Sequence, residues 1–321
     1  MKLITEDRYK EGMQEAAAAI ESIRRSGTFE RNPGEPIYYE LYTVEESKGC
    51  FVISHGFTES TVKYTEVIYY LTEAGYSVAI VDHRGHGRSY RDVEDLWLTN
   101  VDNFDHYRDD FIWFIHTVVM RAYEGQDLFV LGHSMGGAIA AHVAEYDPEL
   151  PVKKYILSSP MIAPATGGVP EQLTKMIDEA CIHGGKGHEM VFVHKPFDPA
   201  GDWGSDGCCA TSEARYTWYL EFQREHPEFQ NAAATYNWLR ESLRQTKVVL
   251  NPASAARVQV PVLLIQAGKD TMVKNEAQDE LLKLLPNGKK VVFPAAKHEI
   301  FRCTDYEVKL YINTLLNFVK E

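Results

Sequence analysis

Residues 128–137 of the chain read LFVLGHSMGG. The four apolar residues predict a short buried strand, and residues 134–146 predict a helix directly after it. Between the two lies the pattern G-x-S-x-G, in which a tight strand-to-helix turn lifts a serine hydroxyl above the edge of a sheet. Glycine suits both flanking positions because a side chain there would clash with neighbouring backbone. The pattern predicts Ser134 as a nucleophile.

Similar units flank this turn on both sides. Further strands are predicted at residues 51–54, 77–81, 155–157, 262–265 and 291–293, of which the first two are expected to be buried. Helices are predicted at residues 64–74, 103–123, 273–285 and 305–318, with Asp102 as the N-cap of the second. Short apolar runs separated by helices predict an α/β fold with a mostly parallel central sheet and helices on both faces.

The start of this alternation and the place where it is interrupted set the expected domain boundaries. The first 25 residues predict a helix that stops at Gly27, followed by strands near residues 28–31 and 36–43. Residues 161–255 lack the strand–helix rhythm and contain two predicted helices, 212–225 and 232–247. A segment of that length is too long for a loop, so we expect an inserted, mainly helical cap. The expected core is then residues 1–160 together with 256–321.

Composition excludes several classes of protein. The chain has 321 residues and a formal charge of −13, which argues against binding nucleic acid. No apolar stretch is long enough to cross a membrane, and the N-terminus lacks the apolar region of a secretory signal. The five cysteines have no repeated spacing, which favours reduced thiols over a disulfide framework. We therefore expect a cytoplasmic enzyme.

A serine nucleophile needs a base and an orienting acid. In folds with this turn the order along the chain is serine, acid, histidine. Asp270 follows the strand at 262–265 and His298 follows the next strand, so both fall on the sheet edge that carries Ser134. Other acids compete with Asp270 for the role, namely Glu276, Asp279 and Asp305. Glu276 and Asp279 fall in or at the start of a helix, and Asp305 lies beyond the histidine.

Two backbone amides are predicted to stabilise a developing oxyanion. One is the N–H of Met135, which follows the nucleophile, and the other comes from the loop after the first buried strand. That loop begins His55-Gly56-Phe57, and the turn at Gly56 makes Phe57 the best second donor. The side chains of Phe57 and Met135 are expected to be structural or to line a substrate site.

Histidines and cysteines elsewhere in the chain do not predict a metal site. The loop Asp82 to Ser89 contains His83 and His86, but its glycines and arginines favour a tight structural turn. The histidines and cysteines of the predicted cap lack the paired ligand spacing of zinc sites.

Apolar residues on the two predicted cap helices form stripes at helical spacing. The stripes carry Trp218 and Phe222 on one helix and Tyr236 on the other. Such stripes usually pack a helix onto its neighbours. The alternative is that these three side chains also roof the cleft above Ser134 and bind one acyl chain.

Several segments together resemble the bacterial lysophospholipase and monoacylglycerol lipase branch of the α/β-hydrolases. They are residues 55–60 (HGFTES), 82–89 (DHRGHGRS), 132–137 (GHSMGG) and 297–301 (KHEIF), with 212–216 and 234–242 in the predicted cap. The resemblance runs from about residue 25 onward but is weak at 165–210. It implies a serine hydrolase of fatty-acyl esters, without metal or organic cofactor, in which Ser134, Asp270 and His298 form the triad.

The expected activity is hydrolysis of carboxylic esters of monoacyl lipids through an acyl-enzyme on Ser134. The expected partner is a small lipid ester, with transient contact to lipid aggregates. Three alternatives stay open: a small-ester carboxylesterase, an aminopeptidase-like hydrolase, and a non-catalytic binding protein of the same fold. An aminopeptidase would need a carboxylate cluster to hold a free amine. Carboxylates available for it are Asp198, Asp202, Asp206 and Glu213.

Overall fold

The computed structural model describes residues 3–203 and 209–321. The strands in these ranges are β1 (Arg24–Glu30), β2 (Pro36–Tyr42), β3 (Cys50–Ser54), β4 (Ser77–Val81), β5 (Leu98–Thr99), β6 (Leu128–His133), β7 (Val152–Ser158), β8 (Ala233–Ala234), β9 (Val262–Ala267) and β10 (Gly288–Phe293). Eight of them form one sheet in the order β1-β2-β4-β3-β6-β7-β9-β10. Only β2 runs against its neighbours, β1 and β4. The prediction of a mostly parallel central sheet is confirmed.

Helices cover both faces of this sheet. They are α1 (Tyr9–Glu21), α2 (Thr65–Glu73), α3 (Asp105–Phe114), α4 (Met120–Ala122), α5 (Met135–Tyr146), α6 (Glu171–His183), α7 (Glu213–Glu225), α8 (Tyr236–Val249), α9 (Pro252–Ala255), α10 (Asn275–Leu284) and α11 (Asp305–Lys320). A π-helical turn, Ile115–Val119, joins α3 to α4. Within the described ranges, no helix combines the length and the apolar character needed to cross a membrane.

Alternate residues of the central strands feed the two layers. Val52 and Val130 point to a core formed with α3, α5 and α10, whereas Ile53 and Leu131 point to a core formed with α1, α2 and α11. Both faces of these strands are therefore buried, which explains why their sequences are continuous apolar runs. This arrangement brings the carboxyl ends of β6, β9 and β10 to one edge of the sheet.

The described residues of the range 161–255 contribute helices α6 to α9 but no strand of the main sheet. Their short strand β8 pairs in parallel with β5, which lies in the connection after β4. A buried ion pair also fastens α7 to the main domain, since the guanidinium of Arg215 lies 2.9 Å from carboxylate oxygens of Glu66 and of Asp305.

Two local predictions are wrong. Gly27 does not stop a helix, because α1 ends at Glu21 and Gly27 lies in β1, paired with Tyr39 of β2. Asp102 does not cap α3, which begins at Asp105. In the second case the side chain of Asn103 accepts from the N–H of Asp105 over 3.0 Å.

Candidate active site

Ser134 lies at the turn between β6 and α5. Its backbone has φ 52° and ψ −117°, a left-handed conformation that is rare for any residue other than glycine. The turn is held by the N–H of Ser134, which donates to the carbonyl of Ser158 over 3.0 Å. Gly136 is required because a Cβ there would collide with the carbonyl of Ser54. The sequence prediction of a strained strand-to-helix turn is met by this geometry.

A chain of hydrogen bonds connects the three predicted triad residues. Nε2 of His298 lies 2.8 Å from Oγ of Ser134, and Nδ1 of His298 lies 2.7 Å from Oδ2 of Asp270. His298 is 5% exposed and Ser134 is 7% exposed, so both residues are buried. Such an arrangement can transfer the hydroxyl proton of Ser134 to the imidazole.

Asp270 is held as a carboxylate. Burial is the largest single influence and would raise its pKa, but it is outweighed by the hydrogen bond and charge of His298 together with the N–H groups of Met272 and Val273, which donate to Oδ1. The pKa of Asp270 therefore lies below its ordinary value. An ionised acid at this position fixes the hydrogen of the imidazole on Nδ1 and leaves Nε2 free to accept.

The rival acids occupy other environments. Asp279 lies on α10, and its carboxylate is 2.6 Å from Nζ of Lys290. Asp305 pairs with Arg215, at the start of α11. Glu276 lies in the first turn of α10. Of the four candidates, Asp270 is the one hydrogen-bonded to the ring of His298.

The two amides predicted for the oxyanion hole are available for a ligand. Within residues 3–203 and 209–321, the N–H groups of Phe57 and Met135 donate to no protein acceptor. The N–H of Met135 lies at the N-terminus of α5, where the helix dipole favours negative charge. The loop before Phe57 is fixed by the N–H of Gly56, which donates to the carboxylate of Glu59 over 2.6 Å.

The aromatic residues predicted to bind substrate lie in two different places. The ring of Trp218 packs edge-on against Tyr9 of α1 at 6.5 Å, and Phe222 stacks against Trp218 and contacts Phe229. Tyr236 is buried, and its N–H donates to the carbonyl of Glu189. The contact with α1 favours the packing alternative for Trp218, while the substrate-binding role of all three residues stays a prediction.

Trp238 is an aromatic residue that the sequence reasoning missed. Its ring lies 4.2 Å from that of Phe57, at an angle of 34°. It is 5% exposed and joins the core on the α3 side of the sheet. Helix α8 therefore reaches the loop that carries the predicted oxyanion amide.

The loop Asp82 to Ser89 is bound into the fold by hydrogen bonds. The carboxylate of Asp82 accepts from the N–H of Thr61 and of Arg88. Nε2 of His83 lies 2.8 Å from Oγ of Ser54. In the part of the chain that the structure describes, no group of three or more histidine, cysteine or acidic side chains is arranged to hold a metal ion.

The family model described as "Serine aminopeptidase, S33" matches residues 45–305, a range that includes Ser134, Asp270 and His298. The chain belongs to the serine aminopeptidase S33 family. Its fold is that of the α/β-hydrolases, as in a soluble variant of monoglyceride lipase from Saccharomyces cerevisiae solved with a substrate analogue. That structure matches with a TM-score of 0.74 and 19% identity, over 93% of this chain and 94% of that one.

Two relatives that match most of the chain carry lysophospholipase names. Lysophospholipase L2 of Escherichia coli is 28% identical over 294 residues, which cover 88% of this chain and 84% of that protein. A probable lysophospholipase L2 of Haemophilus influenzae is 29% identical over 257 residues, which cover 78% and 76%. The resemblance drawn from the sequence to this branch of the α/β-hydrolases is confirmed.

Proposed function

We propose that this protein is a serine hydrolase that cleaves carboxylic esters of monoacyl lipids, either lysophospholipids or monoacylglycerols. The observation that carries the proposal is the continuous set of hydrogen bonds from Asp270 through His298 to the strained Ser134. The lysophospholipase names of the relatives support the choice of substrate class.

The proposed reaction has two halves. Oγ of Ser134 attacks the ester carbonyl carbon while Nε2 of His298 takes the hydroxyl proton, and the N–H groups of Phe57 and Met135 bind the oxyanion. The intermediate collapses, the bond to the alcohol breaks, and the alcohol leaves with the proton from His298. Water then attacks the acyl-enzyme with His298 as base, which releases the fatty acid and restores Ser134. Asp270 stays ionised throughout and stabilises the imidazolium.

We assign residues 161–255 as the cap of this site and residues 1–160 with 256–321 as the hydrolase core. The contact between Trp238 and Phe57 supports this division, because it brings helix α8 to the oxyanion loop. A cap leaves room for one acyl chain more easily than for two, so monoacyl substrates should react faster than diacyl ones.

A panel of esters with acyl chains from two to sixteen carbons tests the lipid assignment. Each buried methylene contributes about 0.8 kcal/mol, so kcat/KM should rise about fourfold per carbon until the site is filled and then fall. Trp218→Ala, Phe222→Ala and Tyr236→Ala should flatten that rise more than they lower activity on an acetyl ester. Trp113→Ala is a matched control, since Trp113 is exposed on α3. A flat profile in the unmodified protein would favour a small-ester carboxylesterase.

A fluorophosphonate probe separates an enzyme from a non-catalytic binding protein. Covalent labelling requires a serine that an adjacent base activates. Labelling of the protein and loss of labelling in Ser134→Ala are expected. An unlabelled protein would favour the binding role.

An aminopeptidase substrate is the remaining alternative within this family. Of the carboxylates considered for a free amine, Asp198, Asp202 and Glu213 belong to the described residues and Asp206 lies outside them. Hydrolysis of aminoacyl arylamides faster than of any acyl ester in the panel would decide for this alternative.

We place the reaction in the cytoplasm, at the surface of lipid aggregates. The buried free thiols of Cys50 and Cys303 fit a reducing compartment. Exposed apolar side chains in residues 161–255 supply a surface for transient contact with lipid, and they are Leu173, Met176, Phe192 and Val193.

A further inference from the structure

A buried carboxylate, Glu59, lies beside the candidate active site and has no part in the hydrogen bonds of the triad. It is 2% exposed. Its Oε2 accepts from the N–H of Gly56 over 2.6 Å and from the hydroxyl of Tyr64 over 2.8 Å, and lies 3.2 Å from Nδ1 of His133. Nζ of Lys63 lies 3.2 Å from Oε1. Glu59 thus joins the oxyanion loop to the strand end that carries Ser134.

His133 continues this connection to the loop of the catalytic base. Its Nε2 lies 3.3 Å from the backbone carbonyl oxygen of His298, and the two rings are 4.9 Å apart. His133 is 1% exposed, so no bulk water replaces either contact. The side chain therefore bridges Glu59 on one side and the main chain of His298 on the other.

The partners of His133 determine its protonation. A carbonyl oxygen only accepts, so Nε2 must carry a hydrogen to bond to His298. Gly56 and Tyr64 both donate to Oε2 of Glu59, and the ammonium of Lys63 lies 3.2 Å from Oε1, so these partners favour the ionised carboxylate. Nδ1 can donate to that carboxylate only if it carries a hydrogen as well, so we infer that His133 is an imidazolium.

The electrostatics agree with this geometry. Burial would raise the pKa of Glu59, but the charges of His133 and Lys63 hold the pKa well below its ordinary value. Burial would lower the pKa of His133, but the charge of Glu59 and the hydrogen bond to it raise the pKa above its ordinary value.

A second connection runs parallel to the first. Nζ of Lys63 also lies 2.6 Å from Oε1 of Glu299, which immediately follows His298. The other oxygen of Glu299 binds the guanidinium of Arg302 over 2.5 Å. The ion pairs Glu59–Lys63 and Lys63–Glu299 therefore connect Glu59 to the loop that holds the base.

We propose that Glu59 and His133 are positioning residues, which together hold the oxyanion amide of Phe57 and the imidazole of His298 at working distance from Ser134. The inference rests on the proposed hydrolase function. Small displacements of reacting groups are costly, since a shift of about 1 Å can lower a rate by a factor of about 100.

The kinetic test uses Glu59→Gln, His133→Gln and the double variant on a monoacyl ester. Each single change should lower kcat about 100-fold with KM altered less than threefold. The double variant should be no slower than the slower single one, because the two residues act as a unit. Glu145→Gln is the matched control, since Glu145 is equally buried but lies on α5 without a hydrogen-bond partner among the described residues. Wild-type kcat in Glu59→Gln, or losses that multiply in the double variant, would overturn the proposal.

A spectroscopic test on the unmodified protein needs no variant to fold. With ¹⁵N-labelled histidine at pH 7, and with the ring assigned by through-bond correlation to the His133 backbone, both ring nitrogens should carry a hydrogen. A single protonated nitrogen would contradict the proposal even if every variant were inactive. A protein that hydrolyses no ester and takes no fluorophosphonate would refute the proposed function, whereas the protonation of His133 is read independently of activity.

Discussion

Replacing Asp270 by asparagine separates the electrostatic role of the acid from its size. Oδ1 of Asp270 accepts from the N–H groups of Met272 and Val273 at 2.8 and 3.1 Å. In the variant these donors hold the amide oxygen, so the amide nitrogen takes the place of Oδ2, which lies 2.7 Å from Nδ1 of His298. Because the amide nitrogen donates, the imidazole must carry its hydrogen on Nε2. Nε2 of His298 can then no longer accept the proton of Ser134.

The wrong tautomer should lower kcat by about 10⁴, which corresponds to about 5.5 kcal/mol of lost transition-state stabilisation. Steady-state kinetics on a monoacyl ester measure this loss, and thermal unfolding checks that the variant folds. Asp279→Asn is the matched control, because that carboxylate pairs with Lys290 and should leave kcat unchanged. An Asp270→Asn protein with more than a tenth of wild-type kcat, or an inactive Asp279→Asn protein, would refute the assignment of the acid.

Four further substitutions test the nucleophile, its base, a buried acid and the turn. Ser134→Ala and His298→Ala should each lower kcat by about 10⁴ to 10⁶, and a contaminant-free Ser134→Ala protein that keeps a tenth of the activity would exclude this nucleophile. Burial raises the pKa of Glu145 to about 9 from 4.5, so the folded protein retains a proton that the unfolded chain releases, and stability falls as pH rises between these values. Glu145→Gln should therefore stabilise the protein by about 1–3 kcal/mol at pH 8 and little at pH 5, whereas equal shifts in Tm at both pH values would contradict the reasoning. Gly136→Ala should lower Tm sharply or prevent folding, because its Cβ would collide with the carbonyl of Ser54; a wild-type Tm would show that the turn can relax.

The sequence predicts that the three triad residues lie close together, because parallel strands end at one edge of the sheet. Continuous apolar runs indicate strands that are buried on both faces, and the residues that follow them must meet there. Ser134 and Asp270 follow such runs, whereas His298 follows β10, an edge strand in which Val292 is exposed, and the structure places the three residues in hydrogen-bond contact. This inference needs only chain order and burial, both of which are visible in the sequence.

Contacts between residues far apart in the chain could not be predicted in this way. Glu59 and His133 are separated by 74 positions, and neither residue has a local spacing that signals a pair. A histidine at a buried strand end, directly before the nucleophile, was the available signal. Helix α3 likewise begins where it does because the carboxylate of Glu241 accepts from the N–H of Phe104, and nothing near Phe104 in the sequence reveals that partner.

Helix α8 shows why periodicity alone cannot choose the side chains that would contact a substrate. Successive residues of a helix are about 100° apart, so Trp238 lies on nearly the opposite side from Tyr236. The stripe that begins at Tyr236 identifies one buried face, but both residues are buried, and it is Trp238 that meets Phe57. A helix enclosed on both sides presents two apolar faces, and only the tertiary fold determines which one lies above the oxyanion loop. If the proposed cap binds an acyl chain, that chain should contact the face of α8 that carries Trp238, because this face already packs against Phe57 of the oxyanion loop.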